Sequence, residues 1–337
     1  MRSLIRGVLE LAVLLSSIAS AQMLNDQTPP QHRIVHKNLI AVRYNPLGLL
    51  YDGRFSYRFR LYESESKVLR DNFIGVGLAP TASPAFIRIG PYVEFNPWTV
   101  LGFWSAIQVV QYFGSFDLLQ SFPGAQSNFS DTAIRAATAT KQPTNGWELT
   151  IGANFNVKVG PIVVRSFARL IHGNMAIRPG DRVYYDQFYD VLAPNGGWTF
   201  TADADVLWQG LENRLVIGAR YTATAPLYDP ARHLDPNDPV QAADNSMHRV
   251  GPLVGYTFKS IDGDAFNNPT LFVLIQWWAK HRWRTGADVT GALPLMGLGF
   301  QITGDFLPLK PPAKDAPAAE PVMPAPAAQE TPAPTNQ

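Results

Sequence analysis

Three short stretches carry charge at even spacing. "RFSYRFR" sets Arg54, Arg58 and Arg60 two or four residues apart, "VVRSFAR" sets Arg165 four residues before Arg169, and "TADADVL" sets Asp203 two residues before Asp205. Side chains alternate along a strand, so residues at even separation share one face. A face lined by guanidinium groups can hold carboxylates or phosphates through two hydrogen bonds and can draw anions along a path. Where Asp203 and Asp205 interleave, the same groups can instead pair with one another as internal struts.

Other chemistry is thinly supported. "LIHGN" places His172 two residues before Asn174, which looks like the His-x-Ser of outer-membrane phospholipases without the Ser. His32 and His36 stand four apart in a Pro-flanked leader with no further ligands for a metal. Asp262-Gly263-Asp264 and "LDPNDP" lack a full set of calcium ligands and read as solvated turns. Gly-rich phosphate loops and nucleophile elbows are absent. No catalytic residue, metal or cofactor is expected, and an enzyme is not expected; a lipid-modifying activity at His172 is the one alternative of that kind.

The elements that would carry these charges are strands. In "GWELTIGANFNVKV", Trp147, Leu149, Ile151, Ala153, Phe155, Val157 and Val159 alternate with Glu148, Thr150, Gly152, Asn154, Asn156 and Lys158. Period two over this length means one apolar and one polar face. Such alternation recurs from residue 38 to 306 in twelve stretches, with "RVYYDQFYDVL" either extending a strand or pairing as a hairpin of its own. Asp52-Gly53 is a tight-turn signal for the first hairpin. Connections at 117–146, 176–196 and 226–246 are long, whereas Asn96-Pro97-Trp98, Gly160-Pro161 and "GLEN" are short. The chain is 46% hydrophobic but only 16% charged. After the first 25 residues no apolar run approaches the roughly 18 that a membrane helix needs.

These features could describe a soluble sandwich burying its apolar faces or a barrel giving them to lipid. Tryptophan placement favours the barrel. Trp198 and Trp208 share a face ten residues apart, about 33 Å along a strand and about 25 Å in height after a tilt of about 40°. That height matches the apolar band between two aromatic girdles. Trp98, Trp147 and Phe306 fall at strand ends and would join those girdles. The last stretch, "GLGFQITGDF", resembles the aromatic-ended closing strand that the barrel assembly machinery recognises. Across 38–306 the pattern resembles Gram-negative outer-membrane β-barrel proteins as a class.

The resemblance implies an all-β fold, a transmembrane antiparallel up-and-down β-barrel of about 12 strands in contact with outer-membrane lipids. Residues 1–21, with Arg2 and Arg6, the apolar "GVLELAVLLSSI" and Ala19-Ser20-Ala21, read as a cleaved signal peptide. Residues 22–37 read as a periplasmic lead-in. Residues 307–337, rich in Pro and Ala, read as a disordered periplasmic tail resembling linkers to peptidoglycan-binding domains, either a passive spacer or a docking peptide for a periplasmic or peptidoglycan partner. The chain has no cysteine, hence no disulfide and no lipid-acceptor thiol. No nucleic-acid partner is expected.

With apolar faces outward, strand parity turns fourteen cations inward: Arg43, Arg54, Arg58, Arg60, Arg88, Lys158, Arg165, Arg169, Arg214, Arg220, Arg249, Lys259, Lys280 and Arg282. Five carboxylates join them, Glu94, Glu148, Asp203, Asp205 and Asp305, while the whole chain is only +1. A basic wall around a narrow aqueous path passes anions in preference to cations. The architecture and charge resemble small anion-selective outer-membrane channels for acidic sugars. Two functions stay open: passive diffusion of small anionic solutes, or a structural or binding barrel blocked by its own side chains. The loop 117–146 could enter the lumen or stand outside it.

Overall fold

Alternation becomes strand along almost the whole chain. The computed structural model describes residues 29–259 and 265–307. The signal-peptide expectation and nearly all of the tail lie outside the described residues.

In chain order the strands are β1 (His32–Tyr44), β2 (Gly48–Arg60), β3 (Phe73–Leu78), β4 (Thr81–Ala82), β5 (Phe86–Ile89), β6 (Pro91–Trp98), β7 (Leu101–Phe113) and β8 (Ser121–Phe122). They continue with β9 (Pro143–Val159), β10 (Ile162–Met175), β11 (Val183–Asp186), β12 (Val191–Pro194), β13 (Gly197–Gly210) and β14 (Leu215–Leu227). The last are β15 (Met247–Thr257), β16 (Asn267–Lys280) and β17 (Leu295–Asp305). Two short helices, α1 (Asp131–Ala136) and α2 (Pro230–His233), sit in loops.

Each main strand pairs antiparallel with its sequence neighbours, and β1 pairs with both β2 and β17, so the sheet closes on itself. β3 with β4 forms one interrupted span, as does β5 with β6. The breaks fall at Ala79-Pro80 and Gly90, where the Ala79 amide donates to the Gly90 carbonyl at 3.0 Å. Proline cannot donate to a ladder, which is why the span is broken there. Counted this way, the barrel has twelve strands.

The outer surface decides between lipid and a protein core. Val109 and Val206 are 64% and 60% exposed, and Ile40, Val76, Phe95, Phe103, Phe155, Ile217, Val273 and Phe300 share the same outward orientation all round the ring. A continuous apolar girdle of that extent is not seen on a soluble monomer. Trp147 and Trp277 are exposed near one rim and Trp98, Trp208 and Phe306 near the other, with Trp198 half-buried beside Trp147's rim. Thus the apolar face of "GWELTIGANFNVKV" points outward, and Glu148 and Thr150 point in.

Two local expectations are corrected. Barrel structure begins at His32 rather than at residue 38, because the alternation of Arg33, Val35, Lys37 and Leu39 runs unbroken into Ala41 and Arg43. The first turn is Asn45-Pro46-Leu47, and Asp52-Gly53 lies inside β2, opposite Leu39 and Asn38. Asn45 takes the left-handed conformation (φ 61°) that asparagine tolerates, and Pro46 removes a ladder donor, so together they outcompete the Asp-Gly signal. Asp52 instead faces inward and accepts the Thr81 hydroxyl at 3.1 Å.

Loops 114–142, 176–196, 228–246 and 281–294 emerge at one end, together with the tight turns 45–47 and 83–85. Loop 61–72 and the turns at 99–100, 160–161 and 211–214 lie at the other, with the end of β15, the start of β16 and both barrel termini. The stretch "RVYYDQFYDVL" pairs as its own hairpin, β11 with β12, and β8 adds a third strand. All residues of β11 and β12 are buried on both faces. No solvent-standing loop would bury them so, and their position follows from the interior contacts.

Candidate functional site: a basic bore closed by a loop plug

Pairing register places the charged rows. Arg165 on β10 stands opposite Asp205 on β13, which stands opposite Arg220 on β14. Even spacing within each strand turns all three to the lumen, and one carboxylate serves two guanidinium groups. Arg165 Nη2 donates to Asp205 Oδ2 at 2.6 Å, and Arg220 Nε to Oδ1 at 2.7 Å. None of these three side chains has any exposed surface. Two residues along β13, Asp203 accepts the Thr222 hydroxyl at 2.7 Å and pairs with Arg169 at 3.4 Å.

The opposite wall repeats the theme with different partners. Arg88 binds Glu148 at 2.8 Å. Arg58 grips Glu94 through Nε at 2.6 Å and Nη2 at 3.0 Å, and the hydroxyls of Ser56 and Tyr92 donate to the same carboxylate. Arg54 lies over the Trp104 ring at 4.5 Å and near Tyr92 at 5.3 Å. Arg249 lies over Trp278 at 5.0 Å. Arg33, near the terminal rim, pairs with Asp305 at 2.7 Å.

Above these rows the bore is shut. Arg43 on β1 donates from Nη2 to the Gln187 carbonyl at 2.7 Å and from Nη1 to that of Phe188 at 3.3 Å. Gln187 and Phe188 are the tip of the β11–β12 hairpin, which is rooted between β10 and β13. In a ring of twelve, β1 is diametrically opposite β10, so the hairpin crosses the bore. The Arg88 guanidinium, on β5, sits 5.6 Å from the Phe188 ring. Val183, Tyr185, Phe188, Tyr189, Val191 and Leu192 pack in one cluster with Phe129, Leu234 and the inward residues Leu39, Leu50, Leu253, Leu274 and Leu295. Loops 114–142 and 176–196 therefore form a plug with an apolar heart and polar moorings.

Three loops converge on one of those moorings. Arg284 binds both oxygens of Asp190 in the plug, both oxygens of Asp131 in α1 and the Asn45 side chain in the first turn. Asp190 also accepts the Tyr185 hydroxyl at 2.8 Å and lies 3.4 Å from His281 Nε2. Burial alone would raise the Asp190 carboxyl, but Arg284 and His281 hold it well below the usual carboxylate range. Asp186 has no such guanidinium clamp. Burial, with the Glu148 charge, pushes it up to about 6.

The predicted lining residues separate into groups. Arg43, Arg54, Arg58, Arg88, Arg165, Arg169, Arg220 and Arg249 face the bore, and Arg60 ends β2 with its guanidinium on the Pro29 carbonyl and Glu63. Lys158, Arg214 and Lys259 are exposed at the short-turn rim rather than inside. Arg214 belongs to the turn 211–214, and Lys158 donates to Asn213 at 2.6 Å. Lys280 ends β16 exposed and pairs with Asp244 at 2.6 Å. Arg282 lies past the strand end and ties down loop 114–142 through the Gln126 carbonyl at 2.7 Å. All five predicted acids face inward.

Arg33, Lys37 and Asp52 were missed because the lead-in boundary and the first turn were misplaced; carrying the parity of Arg43 backwards finds the two cations. Arg284 and Asp190 were missed because no periodicity marks loop residues. His172 faces outward between the Trp147 and Trp198 rings, at 5.1 and 5.0 Å. It is part of the aromatic girdle.

No protein-family model matches the chain, and no curated protein does. Solved structures similar to it include OccAB1 of Acinetobacter baumannii, at 11% identity and TM-score 0.40, over 79% of this chain and 60% of that one. Others are the β domain of the Bordetella autotransporter BrkA (7% identity, TM-score 0.39, 82% of this chain and 100% of that one) and the translocator domain of NalP from Neisseria meningitidis (10%, 0.36, 82% and 88%). This chain thus spans about 60% of the OccAB1 length. Likeness at this level carries no function across. Ring closure, the lipid-facing girdle and the charged interior rest on the chain's own residues, and they make it a twelve-stranded transmembrane β-barrel with a plugged bore.

Proposed function

We propose that the protein is an outer-membrane channel for small anionic solutes, held shut by loops 114–142 and 176–196. The observation that carries this reading is the excess of guanidinium groups over carboxylates along the bore wall, with Arg165 and Arg220 sharing the single carboxylate of Asp205. A barrel that served only as a scaffold would gain nothing from that excess, since well-packed apolar side chains replace buried ion pairs at no loss of stability. Once the plug withdraws, the same groups would line an aqueous path at a positive potential that attracts anions. The plug's polar moorings would make withdrawal a discrete event.

A second reading, a structural or binding barrel whose lumen stays filled, is favoured by the complete burial of Arg165, Asp205 and Arg220. Planar-bilayer recordings separate the two. The full chain, reconstituted with the hairpin residues 183–194 replaced by a short Gly-Ser linker, is expected to conduct with anion selectivity. A folded barrel lacking the hairpin that passes no current, or that passes cations preferentially, removes the channel reading and leaves the second.

A further inference from the structure

Arg249 breaks the rule the other interior cations follow. It sits on β15 opposite Thr222 of β14 and Trp278 of β16, 1% exposed, yet its Nε and Nη1 atoms meet no acceptor. The indole Nε1 of Trp278, the ring on which it lies, is also a buried donor without an acceptor. Every carboxylate nearby is engaged elsewhere: Asp190 by Arg284, Asp203 by Thr222 and Arg169, Asp205 by Arg165 and Arg220. The other charged groups facing this spot, Arg43, Arg220 and Arg284, are cations. A buried guanidinium with idle donors, beside three cations and two carboxylates already bonded elsewhere, is short of hydrogen-bond acceptors and of a countercharge of its own. One species supplies both.

We propose that Arg249 and Trp278 form the core of a binding site for a small monovalent anion, enclosed beneath the plug hairpin. The unmet groups of Arg249 and Trp278 are all donors, so a ligand held by these two residues must be an acceptor. With Arg249 1% and Trp278 7% exposed, the fitting ligands are small, a halide or the end of a carboxylate. The proposal shares with the proposed function a basic lumen but does not need conduction, since a resident anion would serve a permanently closed barrel as well.

Crystals of the full-length protein grown in bromide test it directly, by anomalous scattering. An anomalous peak in hydrogen-bonding contact with Arg249 Nε or Nη1 is the expected result. Ordered water at those atoms, with no anomalous peak, overturns the proposal. In detergent solution, exchanging gluconate for bromide at constant ionic strength is expected to raise Tm by at least about 2 °C, since a ligand bound only to the folded state stabilises it. The shift should vanish in Arg249→Gln; an equal shift in that variant overturns the site. The crystal experiment stands even if the variant does not fold. A bromide peak in a barrel that never conducts would retain the site and remove the channel, and conduction without a peak would do the reverse.

Discussion

Replacing Arg284 with alanine tests whether the loops are a gate. This guanidinium is 3% exposed and makes five hydrogen bonds, to Asp190, Asp131 and Asn45. Asp131 is partly open to water, so its share is small. Asp190 is 2% exposed and would be left charged and buried with only His281 and Tyr185 beside it. Removing one partner of a buried ion pair costs about 3–5 kcal/mol. If closure of the bore depends on this mooring, the closed-to-open ratio falls by roughly a hundredfold or more, at a factor of ten per 1.4 kcal/mol. Single-channel recordings of Arg284→Ala should show open time where the parent shows almost none, and Asp190→Asn should give a smaller gain because its neutral amide removes the buried charge. Arg284→Lys keeps the charge but loses the fork and should fall between parent and alanine variant. Folded Arg284→Ala that stays as silent as the parent refutes the reasoning: the plug would then be held by its apolar heart, and the mooring would be incidental.

Asp186 gives the plug a pH dependence. Its carboxyl, facing Glu148, Arg88 and the Tyr189 amide, titrates near 6 when buried but near 3.8 when the plug is out. The seated Asp186 carboxyl then binds more protons between those values, so its contribution to seating falls as pH rises from about 4 to about 6, by about 3 kcal/mol in all, and is level above that. Open probability measured across this range should rise with pH, and Asp186→Asn should flatten the curve. Asp205→Asn leaves Arg165 and Arg220 without their shared bonded carboxylate, with only Asp203 as countercharge, and should lower stability by about 3–5 kcal/mol, read by denaturant unfolding in detergent. Brominated lipids should quench the outward Trp98, Trp147, Trp208 and Trp277 but leave the inward Trp104 and Trp278 emitting, as single-Trp variants would report. Equal quenching of the two sets would contradict the assigned faces.

Strand existence, strand number and facing were legible because a lipid-facing barrel imposes one rule, period two, on every span. Asp203, Asp205, Arg165 and Arg169 could be assigned to the lumen from spacing alone. Rims were less legible. Parity holds only while the ladder continues, so Lys158, Lys280 and Arg282 keep the right phase on paper while their side chains turn to solvent or to a loop. The plug was visible only in part, as the hairpin option for "RVYYDQFYDVL" and as the option that loop 117–146 enters the lumen. Its clue was composition, since Val183, Tyr184, Tyr185, Phe188, Tyr189, Val191 and Leu192 are too apolar for a loop in water. Which loop fills a bore is a long-range fact that local periodicity does not encode.

The wall charge also changes meaning once the bore is closed. Counted as a tube, the interior cations set a potential; counted as a packed interior, each must be satisfied individually. Arg58, Arg88, Arg165, Arg169 and Arg220 find carboxylates, Arg54 finds aromatic faces, and Arg43 finds carbonyls of the plug itself. The Arg43 arrangement is informative because those carbonyls leave with the hairpin. Opening would expose the Arg43 guanidinium to whatever enters from the loop side, at the mouth of the basic wall. Closing replaces water or anion on Arg43 by the backbone of Gln187 and Phe188. On the channel reading, the plug would occupy the place where an incoming anion is first bound, and a rising anion concentration on the loop side should favour the open state. Arg43→Gln should abolish that dependence while leaving the barrel closed by the remaining moorings.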